Sequence, residues 1–126
     1  MVFDPSAAPT TREPFLAWFH EQTEWDDDSI DYNDPATPSS LLQAWFHEMI
    51  AEFPPMNGPL ASDDPDDPKV SDYCLARGLI YIAFAYSQAQ AAHARMRALA
   101  ASHQLGFFDV GAEEIWVPEG GALTRM

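Results

Sequence analysis

Leu79-Ile80-Tyr81-Ile82-Ala83-Phe84-Ala85-Tyr86 is an unbroken apolar run. A strand turns alternate side chains to opposite faces, so this run has no polar face to offer to solvent. It belongs inside a sheet covered on both sides, and it is far too short to span a membrane. Leu79, Tyr81, Ala83 and Ala85 share one face, and Ile80, Ile82, Phe84 and Tyr86 the other. The small residues predict that a helix or a Trp side chain approaches closely at Ala83 and Ala85, so that Ala85→Leu would overpack the core.

What can cover such a sheet is legible on either side of it. Met1 to Asp4 reads as a short strand, ended by Pro5 and Pro9. Thr10 or Thr11 can cap a helix with Pro14 in its first turn, where a missing N–H is harmless. Phe15, Trp18, Phe19, Gln22 and Trp25 then follow helical spacing. A second helix is predicted from Ser39 to Phe53, because Leu42, Trp45, Phe46, Met49, Ile50 and Phe53 form one buried stripe.

Residues 54–72 hold five prolines and five aspartates, and read as an acidic, Pro-rich loop. After the apolar run, Ser87 and Gln90 have the spacing of a capping box for a third helix, with Ala89, Ala92, Met96, Leu99 and His103 on its inner side. Gly106-Phe107-Phe108-Asp109-Val110 and Glu114-Ile115-Trp116-Val117 read as strands joined by a turn at Gly111-Ala112. Pro118 is expected to end the last strand, and Gly120-Gly121 to open a loose C-terminal tail over 119–126.

A right-handed crossover through the third helix would set two parallel strands side by side. The expectation is an α+β fold, a single domain over residues 1–126, with one mixed sheet of about four strands and three helices packed on it. Cys74 is the one cysteine, which excludes an internal disulfide and a cysteine-based zinc site. Met1-Val2-Phe3-Asp4-Pro5 carries neither a basic region nor an apolar stretch, which predicts no signal peptide and a soluble, cytoplasmic protein.

Charge narrows the function classes. Twenty acidic residues against six basic ones give −14, and the imbalance is segregated. Residues 1–68 hold fifteen acids and the single base Arg12, while residues 69–126 hold five of each. Phosphate binding needs Lys and Arg, so nucleic acid is excluded as a direct ligand and an anionic membrane is disfavoured. A cationic partner is favoured, against the plainer reading that acidity keeps the protein soluble. Charge alone leaves these two level.

Motifs for chemistry are few. Ala17-Trp18-Phe19-His20-Glu21 recurs as Ala44-Trp45-Phe46-His47-Glu48. The unit suits either two His-Glu pairs converging on a metal or substrate, or two helices presenting Trp-Phe to one core. A metalloprotease helix needs a second His four residues on, where this chain has Glu24 and Ala51. The aspartate runs fail the EF-hand pattern, since Ile30 and Asp31 stand where a carboxylate and a glycine are required. There is no Gly-x-Ser-x-Gly elbow and no phosphate-cradling glycine loop. Cys74, beside an apolar strand, reads as inert. No catalytic residue, cofactor or metal site is expected.

Val2-Phe3-Asp4-Pro5, Ala44-Trp45-Phe46 through Phe53-Pro54-Pro55-Met56-Asn57-Gly58-Pro59, Leu79 to Ser87, Gly106 to Val110 and Glu114 to Val117 together cover most of the chain. In these stretches it resembles small uncharacterised bacterial proteins that look like immunity proteins of interbacterial toxin–immunity systems. The resemblance implies a compact cytoplasmic protein that binds and blocks a cognate protein toxin. Combined with the charge, it suggests a basic toxin domain bound by polyanion mimicry.

The candidate partner-binding residues are one acidic cluster, Asp26, Asp27, Asp28, Asp31 and Asp34, and a second, Asp63, Asp64, Asp66 and Asp67, with Trp25, Tyr32 and Met56 as the apolar anchors. The first cluster is preferred, because two aromatics bracket it. The alternatives are a small metal-dependent or His/Glu hydrolase built around His20 and His47, and an acidic adaptor unrelated to toxins.

Overall fold

The computed structural model describes residues 1–126. The chain is α+β: three helices pack on one open antiparallel sheet. In chain order the elements are β1 (Val2–Phe3), α1 (Arg12–Gln22), α2 (Ser40–Met49), β2 (Asp72–Leu75), β3 (Leu79–Ala83), a 3₁₀ turn (Tyr86–Gln88), α3 (Ala89–Ser102), β4 (Gly106–Asp109), β5 (Glu114–Glu119) and β6 (Ala122–Arg125). Across the sheet the order is β2-β3-β1-β4-β5-β6.

Alternation along the strands builds a core on each face. One face carries Val2, Tyr73, Leu75, Ile80, Ile82 and Phe107, under Leu42, Trp45, Phe46 and Met49 of α2 and Ala92, Met96 and Ala100 of α3. The other face carries Met1, Phe3, Leu79, Phe108 and Ile115, under Phe15 and Phe19 of α1. The two Trp-Phe helices therefore serve opposite faces of the sheet, and neither one common core nor converging His-Glu pairs result. Trp45 is fully buried and its Nε1–H donates to Met96 O at 3.3 Å. Trp18 is half-buried at the margin of the smaller core.

The sheet differs from expectation in its neighbours and its strand number. β1 pairs antiparallel with both β3 and β4, through Phe3↔Leu79 and Phe3↔Gly106. The two strands joined by α3 do run parallel, but β1 lies between them, so the expected parallel pair and mixed sheet are replaced by antiparallel ladders throughout. The six strands include two unforeseen ones, β2 and β6. Asp72–Leu75 gives β2 no room to display alternation, and its first residue lay within the expected loop 54–72. That loop is anchored at its base: Pro55 bridges Ser71, Ser71 N donates to Pro54 O, and Met56 N donates to Ser71 O.

Residues 119–126 are not a loose tail. Gly120 and Gly121 both have positive φ, +58° and +82°, and form the two-residue turn of a β-hairpin, where glycine is free of the Cβ penalty. Pro118 does not end β5. Met126 N bonds Ile115 O, so Ile115, Val117 and Glu119 turn their backbone groups to β6, and Pro118 turns its missing N–H the other way. On that side β4 begins only at Gly106, opposite Val117, so no ladder bond is lost.

The long apolar run also ends early. β3 stops at Ala83, and Ala83 and Ala85 are exposed, as is Tyr86 at 97%. No helix or Trp covers them. Ala85→Leu is therefore expected to change stability by no more than about 0.5 kcal/mol in a denaturant titration. α3 begins after the 3₁₀ turn with Gln88 as its cap residue and no side-chain capping bond, in place of the Ser87/Gln90 box.

Candidate functional site

α1 ends at Gln22, and two residues beyond its cap the backbone of Trp25 turns left-handed, at φ +53°. A bulky residue adopts this conformation only when its surroundings impose it. Here the indole meets Tyr32 edge-on at 5.2 Å and Tyr81 at 6.1 Å. The reversal folds the acidic loop back beside the last turn of the helix. Tyr32 O then accepts from Leu75 N at 2.8 Å, which fastens the loop to the outer edge of β2.

The product is a cleft of about 220 Å³ walled by Glu21, Glu24, Asp26 and Asp27, with Ile30, Tyr32 and Ala76 as its apolar part. Ile30 also lines a neighbouring hollow with Asp31, Asp34 and Arg77. Five of the predicted residues, Asp26, Asp27, Tyr32, Asp31 and Asp34, thus lie on these two adjoining depressions, while Asp28 is exposed beside them. Trp25 and Tyr32 are half-buried against the smaller core, which makes them walls of the site more than free aromatic anchors. Glu21, on the last turn of α1, and Glu24, just past its cap, were not predicted because they precede the aspartate run; their i, i+3 spacing was the available signal.

The loop is held by its own carboxylates. Asp27 Oδ1 accepts from the Ser29 hydroxyl and N–H at 2.6 and 2.9 Å. Asp31 Oδ1 accepts from Asn33 N, and Asp34 Oδ1 from Ala36 N, each at 2.9 Å. These are Asx turns, the local reason for so many aspartates in a chain segment that must bend repeatedly. The Ser29 bonds hold the Asp27 carboxyl below the ordinary carboxylate range, and the Arg77 guanidinium favours the same charged form.

The second cluster is built similarly but without a cleft among the described depressions. Asp64 and Asp67 accept from Asp66 N and Lys69 N, and Asp63 and Asp66 are exposed. Lys69 pairs with Glu52 at 3.4 Å and lies over the Phe53 ring. Met56 is 52% exposed in the loop 54–72, and Gly58 two residues on abuts Asn33 O so closely that a Cβ would sit 2.6 Å from it.

His20 and His47 are exposed on helices that cover opposite faces. His93 stands edge-on to Phe84 and Phe107 at 5.3 and 5.9 Å, and burial lowers its pKa. His103 Nε2 meets Glu48 Oε1 at 3.0 Å, tying α3 to α2. No group of three or more His, Cys, Asp or Glu side chains is arranged to hold a metal ion. Cys74 is half-buried, and burial raises its thiol pKa, with Asp72 adding to the effect. No helix is long and apolar enough to cross a membrane. No known protein family, curated protein or solved structure matches this chain.

Proposed function

We propose that this chain is a non-enzymatic, immunity-type inhibitor that acts in the cytoplasm by binding the cationic domain of a cognate protein toxin. The observation that supports this reading is the acidic cleft at the end of α1. Glu21, Glu24, Asp26 and Asp27 surround a small apolar surface of Ile30, Tyr32 and Ala76. A Lys or Arg side chain has this dual character, an aliphatic stem and a cationic head. The Asx turns set the loop's shape before any partner arrives, which lowers the ordering entropy of association. The toxin's own substrate-binding cations would meet these carboxylates in place of the polyanion they evolved to hold.

Two measurements test this. A toxin gene is expected adjacent to this one, and co-expression should restore growth to bacteria producing that toxin. Neutralising Asp26, Asp27, Asp28 and Asp31 to Asn should slow association with that toxin about tenfold or more at low salt and flatten its salt dependence. Asn keeps the side-chain oxygen that accepts in the Asp27 and Asp31 turns, so stability should hold. The same change at Asp63, Asp64, Asp66 and Asp67 should do less. If neither set alters association at low salt, the acidity serves solubility and the mimicry mechanism is wrong.

A further inference from the structure

The sheet has two outer strands, treated in opposite ways. The outer edge of β2 is shielded: Ser71 exchanges bonds with Pro54 and Met56, and Leu75 N donates to Tyr32 O. The outer edge of β6 is not. Because Met126 N bonds Ile115 O, the residues Ala122, Thr124 and Met126 face β5, and Leu123 and Arg125 turn their backbone groups outward. Nothing in the chain pairs with them. An open edge of this kind is a template for another strand.

We propose that β6 pairs antiparallel with β6 of a second copy, continuing the sheet across a twofold axis at Thr124. The register is self-complementary. It sets the outward Leu123 opposite Arg125 of the second copy, and Arg125 opposite its Leu123, so each pair exchanges both backbone bonds. Thr124 falls opposite itself, a favourable cross-strand pair, and no like charges face each other along the strand.

Each copy carries a net charge of −14, and this is the edge at which that charge opposes a second copy least. Residues 69–126 are neutral overall, while the acidic loop is fastened to β2, five strand spacings or roughly 24 Å across the sheet. That distance exceeds the screening length at physiological salt, so the two acidic sites are held apart in the pair. Arg125 is already steadied over the Trp116 ring at 5.5 Å and beside Glu114 at 3.7 Å, which keeps the edge strand extended.

Sedimentation of the full chain over a concentration series, with amide exchange followed by NMR, tests the pairing. The expected result is a reversible dimer in which the Leu123 and Arg125 amides become protected as concentration rises, while the Thr124 amide is protected throughout. Arg125→Pro removes an outward donor from each copy together with the contacts to Trp116 and Glu114, whereas Arg125→Ala removes only those contacts, so Arg125→Pro should weaken the dimer about tenfold or more relative to Arg125→Ala. The Asp26/Asp27/Asp28/Asp31 to Asn variant should dimerise like the parent, which separates this proposal from the toxin-binding one. A monomer up to about millimolar concentration, or a dimer whose Leu123 and Arg125 amides stay unprotected, overturns it; should Arg125→Pro fail to fold, the exchange data on the parent chain decide.

Discussion

Gly106→Ala is expected to destabilise the protein by about 3 kcal/mol, the upper end of the range for overpacking a core. Gly106 opens β4 directly opposite Phe3 of β1, and a methyl group there would lie 2.1–2.6 Å from three atoms of the Phe3 ring. The ring cannot move aside. It is 1% exposed, packs on Phe15 at a centroid distance of 4.8 Å, and meets Trp18 edge-on at 6.3 Å. Nor can the strand shift, because β1 is only two residues long and is bonded on both sides. Urea denaturation would show the loss as a lower midpoint with an unchanged slope. Phe3→Leu in the same chain should return at least about 1 kcal/mol of it, since the two sites share one volume. A Gly106→Ala protein within about 0.5 kcal/mol of the parent would mean that Phe3 does not lie over this glycine.

The repeated Trp-Phe helices give the second large effect. Trp45→Ala is expected to cost about 3–5 kcal/mol, the range for removing a large buried aromatic side chain. Its side chain is fully buried among Leu42, Phe46, Met96 and their neighbours, so truncation leaves a cavity that the close-packed helices α2 and α3 cannot fill. Trp18 occupies the same place in the repeat but is half-buried, and Trp18→Ala should cost about half as much. Thermal melts of the two variants side by side make the comparison. Equal losses would contradict the unequal coverage of the two sheet faces.

The candidate site was partly legible. Asp26 to Asp34 announced a charged loop bracketed by Trp25 and Tyr32, and the structure gathers most of these residues around two adjoining depressions. The spacing of Glu21 and Glu24 was visible, but their convergence with the loop was not, since only the left-handed turn at Trp25 brings the loop back to the helix end. The aspartates' second role, holding Asx turns, was hidden by their charge. An Asp-x-Ser segment reads the same whether its carboxylate faces solvent or its own backbone.

By itself the sequence determined whatever rests on local periodicity. The stripe from Leu42 to Phe53 became the buried side of α2 and the turn that follows it, and Ile80 and Ile82 faced one core while Leu79 faced the other. The segregation of charge was likewise a property of the chain. Only the tertiary structure decided which strands are neighbours. A two-residue strand such as β1 has no pattern to read, and it lies between β3 and β4 because Gly106 leaves room for Phe3 and because both neighbours complete its backbone bonds. The same holds for Pro118, a strand breaker by composition and harmless in this register, and for Gly120-Gly121, a flexible pair in isolation and a hairpin turn once Ala122–Arg125 has β5 to pair with. Side-chain burial repeats along the chain and leaves a periodic trace, whereas backbone pairing joins residues far apart in sequence and leaves none.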